Sequence, residues 1–391
     1  MNSFDSPEEH YQHDFVRHDP GMLQNMFGST EVTPFWLADM DFKVAQPITE
    51  ELRRLVERGV YAYELATKQV FGAIAEWNQQ RHNLYLDQKF FIQAPGVLTG
   101  IALLIRELSK PGDGIIIQPP VYHQFARLIK TADRKIITNP LKVVNDKYEM
   151  DFDNLEKKIQ SEHVRVLLLC NPHNPVGRVW SRQELQSLIR IADQHDVTII
   201  SDEIHSDIIF KGHEFNSITS LGSTKHITLL GSPAKTFGMQ SIANGYLYIT
   251  DETLRKSIYR TTESMYLSHG NAFSTYGAIA AFRHGGPWLD EMLTYLQETI
   301  TWIRHYLEKE IPGVRMFEPE GTYQVWLDFS RLNKTPEDLN HLLVQKAKLA
   351  LTPGVWFDQE SDTFMRMNIA SPLSKIQTAF RQLKKAIDED I

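Results

Sequence analysis

The chain reads as an α/β protein: a large domain built on a mostly parallel seven-stranded sheet, joined to a smaller α+β domain. Three observations predict it. Seven short apolar runs lie between residues 90 and 249, and helical patterns separate several of them. Inside those runs polarity does not alternate, as expected of parallel strands buried on both faces. Past Gly285-Gly286-Pro287 the rhythm changes to a long amphipathic helix followed by a few mixed elements.

Taken in order, the entry segment Pro34-Phe35-Trp36-Leu37-Ala38-Asp39-Met40-Asp41-Phe42 is aromatic and turn-forming. Ile48, Leu52, Leu55 and Val56 form a helical stripe that fades near Gly59, and Val70, Phe71, Ile74 and Trp77 form a second one running to about His82. Strands are expected at 90–92, 115–117, 135–138, 166–170, 197–200, 227–230 and 246–249. Helices are expected at 99–108, 124–131, 154–159 and 184–195, the last opened by a Ser181/Glu184 capping box. A long helix over 288–310 stops at Pro312-Gly313. Strand-like pieces follow at 314–317, 322–329 and 364–369, with helices at 336–347 and 374–387. The predicted organisation is an N-terminal segment (1–47) packing with the small domain, a large domain (48–286) and a small domain (287–391).

Net charge is −8, from 41 Lys and Arg against 49 Asp and Glu. That balance gives no electrostatic footprint for a nucleic-acid backbone or an anionic membrane. A single cysteine, Cys170, permits no internal disulfide and suits a reducing cytoplasm. The first twenty residues lack the apolar core of a signal peptide, and no run approaches the length needed to cross a bilayer. The expectation is a soluble cytoplasmic protein without a metal centre; His10, His13 and His18 read as a solvated tail.

Six stretches carry chemistry. The run His226 to Leu230 ends in Gly231-Ser232-Pro233-Ala234-Lys235, which delivers an amine to the rim of the sheet, where ligands of α/β proteins collect. Pro95-Gly96-Val97-Leu98-Thr99-Gly100 lies between a strand and a helix, and a helix start favours a phosphate. Tyr122, in Pro119-Pro120-Val121-Tyr122, can stack on a flat heterocycle or simply pack on the next helix. Asn174, fixed by the two Asn-Pro steps of Asn171-Pro172-His173-Asn174-Pro175, can donate to a phenolate-like oxygen or serve only a turn. Asp202 follows a buried run and needs a cationic or donor partner; a protonated ring nitrogen and a capped turn both meet that need. His205, three residues on, can reach the same ligand or be a satisfied loop histidine. In Met365-Arg366-Met367-Asn368-Ile369 the polar residues share one face, and Arg366 can bind a carboxylate with two parallel bonds or be a surface charge. One cofactor would use all of these groups together: pyridoxal 5'-phosphate, with Lys235 as an imine-forming lysine.

With those residues on the page, the chain resembles the fold-type I pyridoxal-phosphate enzymes, the class I/II aminotransferase superfamily, and most of all its MalY/PatB-type cystathionine β-lyase branch. WLADMDF, PGVLTG, PPVY, NPHNPVGR, SDEIHSD, SPAKT, GTYQVWLDF and MRMNIASP carry the likeness from Trp36 to Pro372. The resemblance implies Lys235 as the catalytic, cofactor-bearing lysine, Asp202 at the pyridine nitrogen, Asn174 at the ring hydroxyl and Tyr122 stacking, with His205, a cofactor-binding candidate, standing where many aminotransferases carry a tyrosine. It implies phosphate held by Ser232 and the backbone at Val97 and Leu98, with Tyr63 reaching the neighbouring subunit of a homodimer with shared sites. Arg366, with backbone near Ala38, would take the substrate carboxylate. The implied reaction is β-elimination on cystathionine or a cysteine conjugate, giving pyruvate, ammonia and a thiol; transamination with a 2-oxo acid is the alternative. The chain departs from the pattern at Ala243, where many aminotransferases place arginine. It departs also at Gly238 to Ile242, at Asp358 and Asp362, and at Ser371.

Overall fold

The computed structural model describes residues 3–5, 14–64, 67–222, 226–268 and 270–390, so His10 and His13 lie outside the described residues. The chain divides into two compact units. One comprises residues 44–174 and 178–290, the other residues 1–43, 175–177 and 291–391.

The first unit is organised by seven strands: β1 (Phe91–Ala94), β2 (Gly114–Ile117), β3 (Lys135–Thr138), β4 (Val164–Cys170), β5 (Thr198–Asp202), β6 (Ile227–Gly231) and β7 (Gly245–Ile249). Their order across the sheet is β1-β7-β6-β5-β4-β2-β3. Every pair from β6 to β3 is parallel, and β7 alone runs antiparallel to both its neighbours. The unbroken apolar runs of the sequence are explained by burial: Ile115, Val166, Ile199, Leu230 and Leu247 have essentially no exposed surface. Ile101, Leu104 and Ile105 of the helix Val97–Leu108 pack in the same core. Helix Arg182–Gln194 begins with the expected capping box, Ser181 and Glu184 each satisfying the other's backbone N–H.

The sequence patterns did not foretell two helices of this unit, Glu252–Ser264 and Ala272–His284. The second buries Ser274, Thr275, Gly277, Ala278, Ala280, Ala281 and Phe282. Small residues on every side give no apolar stripe to read.

The second unit holds a four-stranded antiparallel sheet of β8 (Arg315–Phe317), β9 (Gln324–Asp328), β10 (Thr352–Pro353) and β11 (Phe364–Asn368), ordered β8-β9-β11-β10. Helix Leu373–Asp388 accompanies it, with Ile376, Ala379, Phe380 and Leu383 buried. The helix expected over 336–347 is α-helical only at Pro336–His341 and continues as a π-helical turn, Leu342–Lys346. A further helix, Pro20–Phe27, is capped by Asp19 and closed by Gly28 in the left-handed conformation. Among the described residues no helix is long and apolar enough to cross a membrane.

Candidate active site

Strand register gathers the predicted groups of the first unit at one edge of its sheet. Cys170 of β4 pairs with Asp202 of β5, and Asp202 pairs with Leu230 of β6. Neighbouring strands lie about 4.8 Å apart, so the segments that follow them emerge side by side at the carboxyl edge. Asn174 follows β4, Asp202 ends β5 with His205 just beyond, and Ser232 and Lys235 follow β6. Val97 and Leu98 follow β1, and Tyr122 follows β2. Tyr63 is elsewhere in this unit, wholly exposed beyond the helix Gln46–Arg58.

Lys235 sits on a short helix, Pro233–Phe237, rather than on a turn. Ser232 caps that helix by accepting from the Ala234 N–H at 3.2 Å, while its hydroxyl donates to Asn244 O at 2.8 Å. Thr236 ties the helix down from below. Its hydroxyl donates at 2.8 Å to Asp207, whose buried carboxylate also receives Trp77 Nε1 at 2.8 Å and His82 Nε2 at 2.7 Å. Burial alone would raise the Asp207 pKa, but the bond and charge of His82, with Thr236 and Trp77, hold it below the usual carboxylate range. Sequence reasoning missed this hub. Asp207 ends the SDEIHSD stretch, and a third acid after a buried strand was the available signal.

Asp202 is 5% exposed. Burial pushes its pKa up to about 6, against the opposing pull of the Ile204 N–H at 3.1 Å and the Lys235 charge. The interaction with Lys235 brings the predicted acid and amine into one electrostatic neighbourhood. The Asp202 carboxylate therefore sits where a cationic ring nitrogen would be stabilised and an apolar group would gain nothing. Beside it, Glu203 is raised to about 7 by burial, partly offset by its bonds to Ser217, Ile218 N, Ser201 and Asn171.

Asn174 is buried, and its N–H donates to Cys170 Sγ at 3.4 Å. Cys170 itself is a buried thiol whose pKa burial drives well up, which keeps it inert. The two loops that carry Asn174 and Tyr122 are joined by His173, whose Nε2 bonds Pro120 O at 2.9 Å. Burial lowers the His173 pKa to about 4, so the ring is neutral and donates. The Tyr122 ring is half-buried, edge-on to His123 and Phe125 at 5.2 and 5.9 Å. His205 is buried, its carbonyl accepting from Ile208 N at 3.0 Å.

The helix Val97–Leu108 begins at Gly96, which offers no side-chain cap, and a Cβ built on Gly96 would project into open space. Gly96 is extended, with φ −178°, so neither strain nor a clash requires glycine there. Gly245 does answer a close approach: a Cβ there would stand 2.7 Å from Gly96 C and 2.8 Å from Val97 N. An uncapped helix start next to a residue without a side chain fits a phosphate. The residues present thus suit the cofactor expected from the sequence. Among the described residues no group of three or more His, Cys, Asp or Glu is placed to hold a metal ion.

Arg366 and Ala38 belong to the second unit. Arg366 is 3% exposed on β11, so it is no surface charge. Its Nη2 donates to Trp36 O at 2.7 Å and Thr352 Oγ1 at 3.2 Å, and its guanidinium lies 4.9 Å from the centre of the Phe357 ring. Ala38 lies two residues beyond Trp36, its carbonyl accepting from Tyr323 OH at 2.9 Å.

Comparison with known proteins identifies the family and the fold. The family model for aminotransferases of class I and II matches residues 60–383. Cystathionine β-lyase PatB of Bacillus subtilis is 33% identical over 387 residues, covering 98% of this chain and all of that protein. Protein MalY of Escherichia coli is 30% identical, covering 93% of this chain and 94% of that one. The crystal structure of cystalysin from Treponema denticola, which contains pyridoxal 5'-phosphate, superposes with a TM-score of 0.95 at 28% identity over the full length of both chains. A pyridoxal-phosphate-bound C–S lyase from Staphylococcus hominis gives 0.90 at 25% identity, covering 98% and 97%.

Proposed function

The chain belongs to the class I and II aminotransferase family, and from that premise we propose that it is a pyridoxal-phosphate-dependent C–S β-lyase. Its substrate is an L-amino acid with sulfur on the β-carbon, such as cystathionine or a cysteine conjugate. The observation that carries the reading is its full-length likeness to cystathionine β-lyase PatB, supported by the grouping of Asn174, Asp202 and Lys235 at the carboxyl edge of β4, β5 and β6.

When bound, pyridoxal phosphate supplies an electron sink beside the substrate α-carbon, so that an α-proton can leave and a β-thiolate can follow. The rest is work for this chain. Lys235 Nζ would hold the cofactor and, when its amine is free, would take the α-proton; a positioned base of this kind is worth about 10²–10⁴ in rate. Asp202 would keep the ring nitrogen protonated, and pairing with such a cation would draw the acid back from its raised pKa toward the carboxylate form. Asn174 would donate to the ring oxygen, Tyr122 would stack on the ring, and His205 would lie within reach of the same group. Ser232 and the N–H groups at Val97 and Leu98 would hold the phosphate. Arg366 and the Ala38 backbone orient the substrate carboxylate. Eliminating the thiol leaves a fragment that water converts to pyruvate and ammonia.

In the same reading the large domain spans 48–286, the small domain 287–391, and segment 1–47 packs with the latter. The protein is a cytoplasmic homodimer with shared sites, in which the exposed Tyr63 reaches the neighbouring subunit's phosphate.

The test is L-cystathionine supplied without any 2-oxo acid. Steady release of pyruvate and homocysteine is expected. Turnover that appears only when 2-oxoglutarate is added would overturn the lyase and leave an aminotransferase.

A further inference from the structure

We propose that Asn368 is a positioning residue for recognition of the substrate carboxylate: it locks the Leu37–Asp39 backbone into a fixed relation with Arg366. The proposal deepens the reading above and rests on it.

Residues 36–39 belong to no strand, so their carbonyls must find partners outside a ladder. All four find side chains. Trp36 O accepts from Arg366 Nη2 and from Thr352 Oγ1, each at 2.7 Å. Leu37 O accepts from Asn368 Nδ2 at 2.6 Å, Ala38 O from Tyr323 OH at 2.9 Å, and Asp39 O again from Asn368 Nδ2 at 2.5 Å. The Asn368 amide is thus fully used: its two N–H donors bridge carbonyls two residues apart, and its Oδ1 accepts the Ala370 N–H at 2.9 Å. It has no exposed surface. Reversing the amide would face oxygen against two carbonyls, so its orientation is fixed by its partners.

Placement makes this more than a loop anchor. Asn368 and Arg366 are two apart on β11 and share one face of the strand. The amide that grips Leu37 and Asp39 and the guanidinium that grips Trp36 are therefore carried by one rigid element, with Ala38 held between the gripped carbonyls. Two donors to a carboxylate are useful only when their separation is set in advance, because misplacement by about 1 Å forfeits most of the gain. Asn368 sets it.

The experiment titrates cofactor-loaded enzyme with two probes, following cofactor absorbance. L-alanine has the carboxylate and no β leaving group; ethylamine is the same molecule without the carboxylate. In Asn368→Ala, L-alanine binding is expected to weaken roughly tenfold or more, with ethylamine unchanged within about twofold. Tyr323→Phe removes only the hydroxyl on Ala38 O and keeps the ring. It should weaken L-alanine by about fivefold with the same selectivity, and it serves if Asn368→Ala does not fold. Equal loss of both probes, or loss of neither, overturns the proposal. Because neither probe is eliminated, this outcome is independent of the cystathionine assay. Failure of the wild type on cystathionine, with the selective loss still seen in Asn368→Ala, sinks the lyase reading and keeps Asn368. Elimination of cystathionine by the wild type, with no selective loss in Asn368→Ala, does the reverse.

Discussion

The two units hold their functional groups by different means. In the unit that carries Lys235, position is inherited from the sheet: Asn174, Asp202 and Lys235 follow three adjacent parallel strands whose register is fixed by a core of Ile, Val and Leu. In the unit that carries Arg366, position comes from single side-chain hydrogen bonds to a segment about 330 residues distant in the chain, as from Arg366 to Trp36 O and Asn368 to Leu37 O. A sheet edge distributes the cost of error over many contacts. A clamp of individual bonds concentrates it, so one polar deletion there should disturb recognition without disturbing the fold.

The largest effect that would sharpen this contrast is expected from Lys235→Ala. Elimination should fall by roughly 10²–10⁴ at least, and the borohydride-reducible attachment of cofactor should vanish, with the circular-dichroism spectrum intact. A reducible linkage surviving at another lysine would break the assignment. Next comes Arg366→Ala, in which kcat/KM for cystathionine should drop by roughly 10²–10³, most of it in KM. A loss confined to kcat would mean that the guanidinium does not bind the substrate carboxylate.

A smaller effect concerns pH. In cofactor-free protein Glu203 keeps its proton up to about pH 7, whereas the unfolded chain releases it near an ordinary glutamate value of about 4.3. The folded state then binds the extra proton between those values, so its stability is greatest below them and declines as pH rises through that window. Glu203→Gln should abolish that decline, gaining about 2–3 kcal/mol on the wild type between pH 4.5 and 7. Parallel urea-denaturation curves at the two pH values would contradict it. The smallest change is Thr236→Val, which removes one of the three donors on Asp207. It should cost about 1 kcal/mol of stability, measurable as a lower urea midpoint. A larger activity loss would mean that the short helix bearing Lys235 depends on that bond for its aim.

The same contrast governs what the sequence made legible. Strands buried on both faces announce themselves as unbroken apolar runs, and β1 to β7 stand within a residue or two of where those runs lie. Ala272–His284 did not, because a helix surrounded by protein needs small residues rather than a stripe. Nor did Pro233–Phe237, which is too short to show a period. The hairpin Lys142–Val144/Lys147–Glu149 was also passed over, although Asn145 and Asp146, both at positive φ, are the residues a tight hairpin turn asks for. Among site residues, those at strand ends could be read from position. Asp207, Thr352, Tyr323 and Asn368 could not be given roles, because each acts through a partner far away in the chain.

The lone antiparallel strand has a consequence for how the chain is made. The hydrogen-bonded neighbour of β1 is β7, whose residues follow about 150 positions later. At cellular elongation rates that interval lasts roughly 8–30 s. Throughout it, Phe91–Ala94 waits as an open strand edge, and Gly96, Val97 and Leu98 wait with it. Aggregation during biosynthesis should therefore concentrate in nascent chains that have not yet emerged past Ile249.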